Sequence, residues 1–362
     1  MAGVFSPSSS EKAQLPGAWY AGLVQIFWLL LLVAPGVIAS TVDTVTPASL
    51  MIGERPSING EPTVIKVNLF VIDVDEIDDV NQSFNVDMFL AAQWHDPRLA
   101  LPPAQRTGQK RFMSLDDVWT PRILFINDRG LTTKLREGVN VDDEGNVTFQ
   151  NRLSGRLAAN LEFREFPFDL QELSIDVISY AYTADEIQFA PDSLVITQDK
   201  KFSIEGWHLK MREPEVRNFI VPTSGDVLPQ LTYVIEAKRD SDYYVLTMLI
   251  PMTLIIFMAW TVFWLQPNIV PPRIAISTAS IFSLIALGVS IRLGLPKVSY
   301  LTKADVFVLG CTLMVFLALG MAVLGSRWAN SDRMEQALKA NKIARWIYMV
   351  MFFTFAIAAL YY

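Results

Sequence analysis

After Asp242 the chain becomes four apolar runs, Tyr243 to Leu265, Ile274 to Leu293, Ala304 to Gly325 and Ile343 to Tyr362. Each is near the ~20 residues that carry a helix across a bilayer, where only helices and closed barrels satisfy every backbone polar group. This last third of the chain is therefore committed to a helical bundle in lipid. A hydrophobic content of 51%, a charged fraction of 19% and a mean hydropathy of +0.30 agree with that commitment. The link between the third and fourth runs carries Arg327, Arg333, Lys339, Lys342 and Arg345 against Asp332 and Glu335. The excess of positive charge places that link in the cytoplasm and everything before the first run on the other side. Pro251 predicts a kink in the first span, because it lacks a backbone donor.

From Ser40 to Asp242 the pattern is different. Stretches such as Val64 to Val71 and Phe84 to Trp94 alternate with period two, as half-buried strands do. Turn clusters separate them at Ile58-Asn59-Gly60, Asp142 to Asn146, Pro191-Asp192-Ser193 and Thr223 to Asp226. About ten strands at this spacing predict one immunoglobulin-like β-sandwich. Ahead of it, a polar lead with Lys12, an apolar core from Ala18 to Ala34 and the step Val37-Ile38-Ala39 read as a signal peptide, with an uncleaved anchor as the alternative. The expected organisation is a leader over 1–39, an exported sandwich over 40–242 and a four-helix membrane domain over 243–362.

The stretch Pro271 to Tyr300 has an arginine near each end, Arg273 and Arg292, and is rich in alanine, serine and threonine. Small residues let helices approach closely, and arginines at both mouths suit a wall that meets water and ions. One helix cannot enclose water, so a ring of copies is the simplest assembly. Two stripes compete to face the lumen. One is Ile276, Ser280, Ser283, Leu287, Ser290; the other is Ala275, Ala279, Phe282, Ala286, Val289, Leu293. Periodicity alone favours the serine stripe, and the residues by themselves do not close the question.

Other classes fit poorly. A net charge of −7 argues against a nucleic-acid partner. Cys311 is the sole cysteine, and His95 and His208 are the only histidines, so no disulfide and no zinc centre is expected, and no cofactor. The carboxylates of Asp185 and Glu186 are adjacent on a strand end and diverge, which does not suit glycoside hydrolysis. The chain is not read as an enzyme. No internal repeat supports a secondary transporter. A membrane-anchored periplasmic sandwich that binds a ligand without conducting is the alternative from another class.

Five motifs, in order, carry a resemblance: Trp94-His95-Asp96-Pro97-Arg98-Leu99, Trp119-Thr120-Pro121, Phe166-Pro167-Phe168-Asp169, Ser179-Tyr180-Ala181-Tyr182-Thr183 and Leu295-Pro296-Lys297-Val298-Ser299-Tyr300. Together they resemble the pentameric ligand-gated ion channels of the Cys-loop receptor superfamily, in a bacterial, cysteine-free form. The last motif is similar to the link between the second and third helices of glycine and GABA receptors. The resemblance implies a homopentamer in the inner (plasma) membrane, in contact with lipid, with the sandwich periplasmic or extracellular, a small-molecule or proton agonist and permeant inorganic ions.

It also implies roles. The family's disulfide positions hold Ala159 and Leu173 here. Gating coupling falls to Asp79, Asp169, Arg239, Pro296, Lys297 and Tyr300. The second stripe faces the pore, with Phe282 as a hydrophobic girdle between Ala279 and Ala286, Ala275 and Arg273 toward the inner end, and Val289, Arg292 and Leu293 toward the outer. Pro271-Pro272-Arg273 looks like the Pro-Ala-Arg signature of anion-selective members, and no acid stands between Leu265 and Asp305. An anion pore follows, with a cation pore of the same family as the alternative. The agonist box takes Tyr180 from one subunit and Phe89 from its neighbour, with Phe219 in the capping hairpin, which suits amines. Ala91 stands where glycine receptors have the arginine that binds the agonist's carboxylate, which argues against a simple amino acid. The acidic run Asp73, Asp75, Glu76, Asp78, Asp79 makes protons the other candidate.

Overall fold

The computed structural model describes residues 53–56, 60–191, 202–293 and 298–361. The expected leader, Pro296, Lys297 and the turn at Asp192-Ser193 lie outside the described residues.

Twelve strands are present among the described residues: β1 (Thr63–Asp78), β2 (Ser83–His95), β3 (Arg111–Met113), β4 (Ile123–Phe125), β5 (Thr132–Thr133), β6 (Val139–Val141), β7 (Asn146–Ala158), β8 (Leu170–Ser179), β9 (Ile187–Pro191), β10 (Trp207–Met211), β11 (Glu215–Ile220) and β12 (Val227–Arg239). They form two sheets. The larger runs β3-β6-β7-β2-β1-β9 with β5 beside β7, and the smaller runs β10-β12-β8-β4 with β11 beside β12.

The alternation along β1 explains the sandwich. Ile65, Val67 and Leu69 are buried while Val64, Lys66 and Phe70 face out. Each fully buried aliphatic side chain contributes about 1.5–3 kcal/mol relative to exposure. The register of β1 against β2 slips between Val71 and Asp73 and again between Val74 and Glu76. These bulges let Val71 and Val74 both point inward and leave Asp75 and Glu76 exposed on the acidic run. Between the sheets, Tyr233 donates its hydroxyl to the carbonyl of Val67 at 3.0 Å. The Asp142 to Asn146 turn closes on Asp142, whose Oδ1 accepts from Glu144 N at 3.0 Å and Asn146 N at 2.8 Å. Gly145 sits there at φ +87°, where a Cβ would meet the carbonyl oxygen of Asp96 at 2.5 Å.

Four helices follow, long and apolar enough to cross a membrane: α1 (Asp242–Trp264), α2 (Val270–Leu293), α3 (Lys303–Asn330) and α4 (Met334–Tyr361). In α1 the residues Val245–Leu249 form a widened π-turn just ahead of Pro251. This turn shifts the hydrogen-bond ladder so that Ile250 N donates to Val245 O, which accommodates the missing proline donor. α3 carries the buried small residues Gly310, Cys311, Ala318, Ala322, Gly325 and Ser326, which allow close helix approach.

The fourth span starts earlier than the sequence suggested. It begins at Met334 rather than Ile343, so Lys339, Lys342 and Arg345 lie on helical turns, not in a link. Ala337 and Asn341 are buried on the side of those turns away from Lys339 and Lys342, and this amphipathic start is what hydropathy alone passes over.

Candidate functional site

At the end of the sandwich nearest the helices, β12 ends on Arg239 and β8 is preceded by Asp169. Arg239 donates from Nε to Asp169 Oδ1 at 2.8 Å and from Nη2 to Asp169 Oδ2 at 3.1 Å. The same guanidinium reaches Asp79 through Nη1 at 2.9 Å and Nη2 at 3.0 Å. Gln171 Nε2 donates to Asp169 Oδ2 at 2.5 Å. Arg239 and Asp169 are buried, and Asp79 is nearly so. Three aromatic rings enclose the cation: Trp207 at 4.1 Å, Phe166 at 5.3 Å and Tyr244 at 5.8 Å from its central carbon.

Two acids thus share one arginine. Burial lifts the Asp79 carboxyl above the usual carboxylate range, against the opposing pull of Arg239. Burial also opposes the charge of Arg239, but its bonds to Asp79 and Asp169 more than offset this and raise its pKa further.

The Phe166-Pro167-Phe168-Asp169 loop rests on the start of α3. Lys303 N donates to Arg164 O at 2.9 Å and Ala304 N to Phe166 O at 3.2 Å. The first turn of a helix leaves its N–H groups without internal partners, and here the loop's carbonyls take two of them. Thr302 caps the same turn through Asp305 N, while Asp305 reaches back to Thr302 N at 3.2 Å. Phe163 N donates to the hydroxyl of Tyr300 at 3.0 Å, and Lys303 Nζ pairs with Glu165 at 3.3 Å.

The structure therefore brings Asp79, Asp169 and Arg239 together and sets Tyr300 beside the same loop. That Trp207, Tyr244, Lys303 and Ala304 belong to this junction was not read from the sequence. The signal that could have found that helix start is the Thr302-x-x-Asp305 capping pattern.

On α2, Arg273, Ser277, Ser280 and Leu284 are buried at spacings of four, three and four. Ala275, Ala279, Phe282, Ala286 and Val289 lie opposite them and are exposed, Phe282 to 72%. Leu293 ends the helix. Of the rival stripe, Ser280 is buried and bonds back to Ile276 O at 2.9 Å, while Ser283 and Ser290 are exposed.

Arg273 is a correction. Expected among the pore residues, its side chain is fully buried within the bundle, where Nη2 donates to Asn341 Oδ1 at 2.9 Å beside Gly325. It falls on the inward face because it stands one turn before Ser277. Arg292 remains exposed but leans to α3, with Nε 3.8 Å from Asp305 Oδ1.

The agonist-box candidates are dispersed within one chain. Tyr180 follows β8 and is 54% exposed, Phe89 on β2 is 40% exposed, and Phe219 on β11 is half-buried opposite Leu228. Among the described residues no ring contact joins the three. Phe89 lies under the guanidinium of Arg152 at 5.8 Å, and Arg152 is held by Asp87 at 2.5 Å and 3.0 Å. An aromatic stack not anticipated from sequence links Trp94, Trp119 and Tyr182, with Trp119 Nε1 donating to the Tyr182 hydroxyl at 2.7 Å.

Residues 48–236 match the family described as neurotransmitter-gated ion-channel ligand binding domain, and residues 248–342 match the neurotransmitter-gated ion-channel transmembrane region. The gamma-aminobutyric acid receptor subunit beta-4 of Gallus gallus is 28% identical over 279 residues, which are 73% of this chain and 55% of that relative. The chain thus spans little more than half the length of this curated relative.

Proposed function

The chain belongs to the neurotransmitter-gated ion-channel family, the Cys-loop receptors, as a multi-pass membrane protein, and on that premise we propose that it is a ligand-gated channel assembled as a homopentamer around a central pore. The observation that carries this reading is the two-faced α2: a buried inner face and, directly opposite, an exposed stripe of Ala275, Ala279, Phe282, Ala286 and Val289. In a ring of five, this stripe lines the axis, and five Phe282 side chains close it by dewetting when the helices lean inward.

Anions are the proposed permeant ions. Arg273, buried on Asn341, no longer contributes a ring of charge. The argument rests instead on the lack of any acid from Leu265 to Asp305 and on the exposed Arg292 near the outer end of α2. The alternative, a cation pore, differs in reversal potential.

The agonist is proposed to act at the subunit boundary, on Tyr180 and Phe219 of one protomer and Phe89 of the next, or as a proton on the acids of the junction. Either signal reaches the helices through Asp79, Asp169 and Arg239, through Tyr300, and through the link that holds Pro296 and Lys297. This junction is one cluster that touches both the sandwich and the start of the helices, which supports a coupling role.

The test is voltage clamp of the expressed chain in a chloride gradient, with an external pH sweep and a panel of amines. Current reversing at the chloride potential is expected. Reversal at the cation potential overturns the anion reading, and silence from pentamers verified at the surface overturns conduction under these triggers.

A further inference from the structure

The segment between β7 and β8 leaves the sheet at Ala158, rests on the start of α3 and returns at Leu170. It brings Asp169 to Arg239 and Phe163 to Tyr300. No cysteine lies within it, so no covalent bond closes it. A single side chain closes it instead. Gln171, at the second position of β8, is 2% exposed, and its amide meets the backbone of Glu162, nine residues earlier. Gln171 Oε1 accepts from Glu162 N at 2.8 Å, and Gln171 Nε2 donates to Glu162 O at 2.8 Å. A neighbouring strand would offer the same two-way pairing; here a side chain supplies it.

The other N–H of that amide donates to Asp169 Oδ2 at 2.5 Å, so both donors of the group are in use. A flipped amide would set its oxygen against the carbonyl of Glu162 and the carboxylate of Asp169, and the partners therefore fix its orientation. Asp169 Oδ2 also accepts from Arg239 Nη2 at 3.1 Å, while Phe163, next to Glu162, donates its N–H to the Tyr300 hydroxyl at 3.0 Å. Gln171 stands where the bonds leading to Arg239 and those leading to Tyr300 meet.

We infer that Gln171 is a positioning residue for coupling: its amide closes the neck of this loop, holding the Asp169 carboxylate on Arg239 and, at the same time, Glu162 and Phe163 beside Tyr300. Other side chains do not serve both ends. Asparagine is one methylene short, and methionine fills the space with neither an N–H donor nor a carbonyl acceptor. An ionised glutamate accepts from Glu162 N but cannot donate, and it sets a second anion beside Asp169. The functional half of the inference rests on the channel reading above, and the clasp itself does not.

Hydrogen exchange on the full chain in detergent, paired with voltage clamp, tests it. In Gln171→Met, a peptide covering residues 161–166 is expected to exchange at least about tenfold faster while β7 and β8 stay protected, because a lost buried partner shows as local opening. Evoked current at equal surface number falls by a similar factor. Gln171→Glu shows the same defects at neutral pH and loses the exchange defect on acidification, since the protonated carboxyl again has an O–H to give to Asp169. Asp169 and Glu162 touch that position and Arg239 and Asp79 lie beyond Asp169, so wild type is measured at the same pH values and its own trend subtracted. Space filling alone gives no such recovery. Unchanged exchange in Gln171→Met overturns the clasp, and so does a Gln171→Glu exchange defect that persists in acid. Faster exchange with undiminished current overturns the positioning role. If Gln171→Met does not fold, Gln171→Glu over the same pH range decides alone. A wild type that conducts nothing refutes the channel reading, and exchange still decides the clasp.

Discussion

Arg239 meets Asp169 side-on, Nε to Oδ1 and Nη2 to Oδ2 at 2.8 Å and 3.1 Å, with both side chains out of water. A buried pair held this way is costly to break from one side, because the partner's charge is left stranded, typically at about 3–5 kcal/mol. Asp169→Asn and Arg239→Gln are each expected to lower the melting temperature of the detergent-solubilised protein sharply. The pair Asp169→Asn/Arg239→Met, which removes both charges, recovers part of the loss. Additive losses in the double variant would contradict a direct coupling.

Asp79 supplies a pH dependence of definite sign. Burial raises its folded pKa above the unfolded value, so between ordinary carboxylate titration near pH ~4 and its own folded pKa the native protein holds a proton that the unfolded chain has released. Its contribution is therefore fully present in acid and is lost as pH climbs through the folded pKa. Asp87 runs the other way, since Arg152 holds its carboxyl below the usual range. Melting curves across the acidic range, wild type minus Asp79→Asn, are expected to isolate a component that declines with rising pH. Parallel curves would remove Asp79 as a titrating group.

The phase of α2 is accessible to thiol chemistry, because Cys311, the chain's sole cysteine, is buried at 2% exposure. Single cysteines at Ala279, Phe282 and Ala286 are expected to react with a water-soluble thiol reagent and alter current, while cysteines at Ser277, Ser280 and Leu284 stay silent. Phe282→Ser is expected to raise resting current and to change stability by no more than about 0.5 kcal/mol, as befits an exposed position. Reaction at Ser280 but not Phe282 would reverse the assignment.

Asn341 is the only described acceptor for Arg273, and its own Nδ2 donates to Leu265 O at 3.1 Å. Asn341→Ala leaves Arg273 Nη2 buried without its acceptor, and yield of detergent-stable protein is expected to fall, by the equivalent of about 1–3 kcal/mol. Arg273→Met relieves the defect in the same background. In otherwise wild-type channels Arg273→Met is expected to leave the reversal potential in place, and a shift would put this side chain in the lumen.

Much of the fold was legible because burial leaves a period in the sequence. The alternation of Ile65, Val67 and Leu69 announces β1, and four apolar runs announce the bundle. What escaped was decided by contacts far apart in the chain. Whether Arg273 faced water or protein depended on Asn341, 68 residues away, and no local pattern records that. Trp207 reads as an ordinary strand residue until β10 pairs it with Arg239. The start of α4 was placed too late because Lys339 and Lys342 mask helical turns whose inner face is Ala337 and Asn341.

The bonds from Lys303 and Ala304 to the carbonyls of Arg164 and Phe166 join one backbone to another. They ask nothing of any side chain, so alanine scanning of the loop and of the helix start passes over them in silence. Only a change that alters the peptide itself, such as an ester replacing the amide of Ala304 or a proline at position 303, severs the link. By the same logic, a sandwich grafted from another member of the family onto these helices needs the right loop path more than the right loop residues.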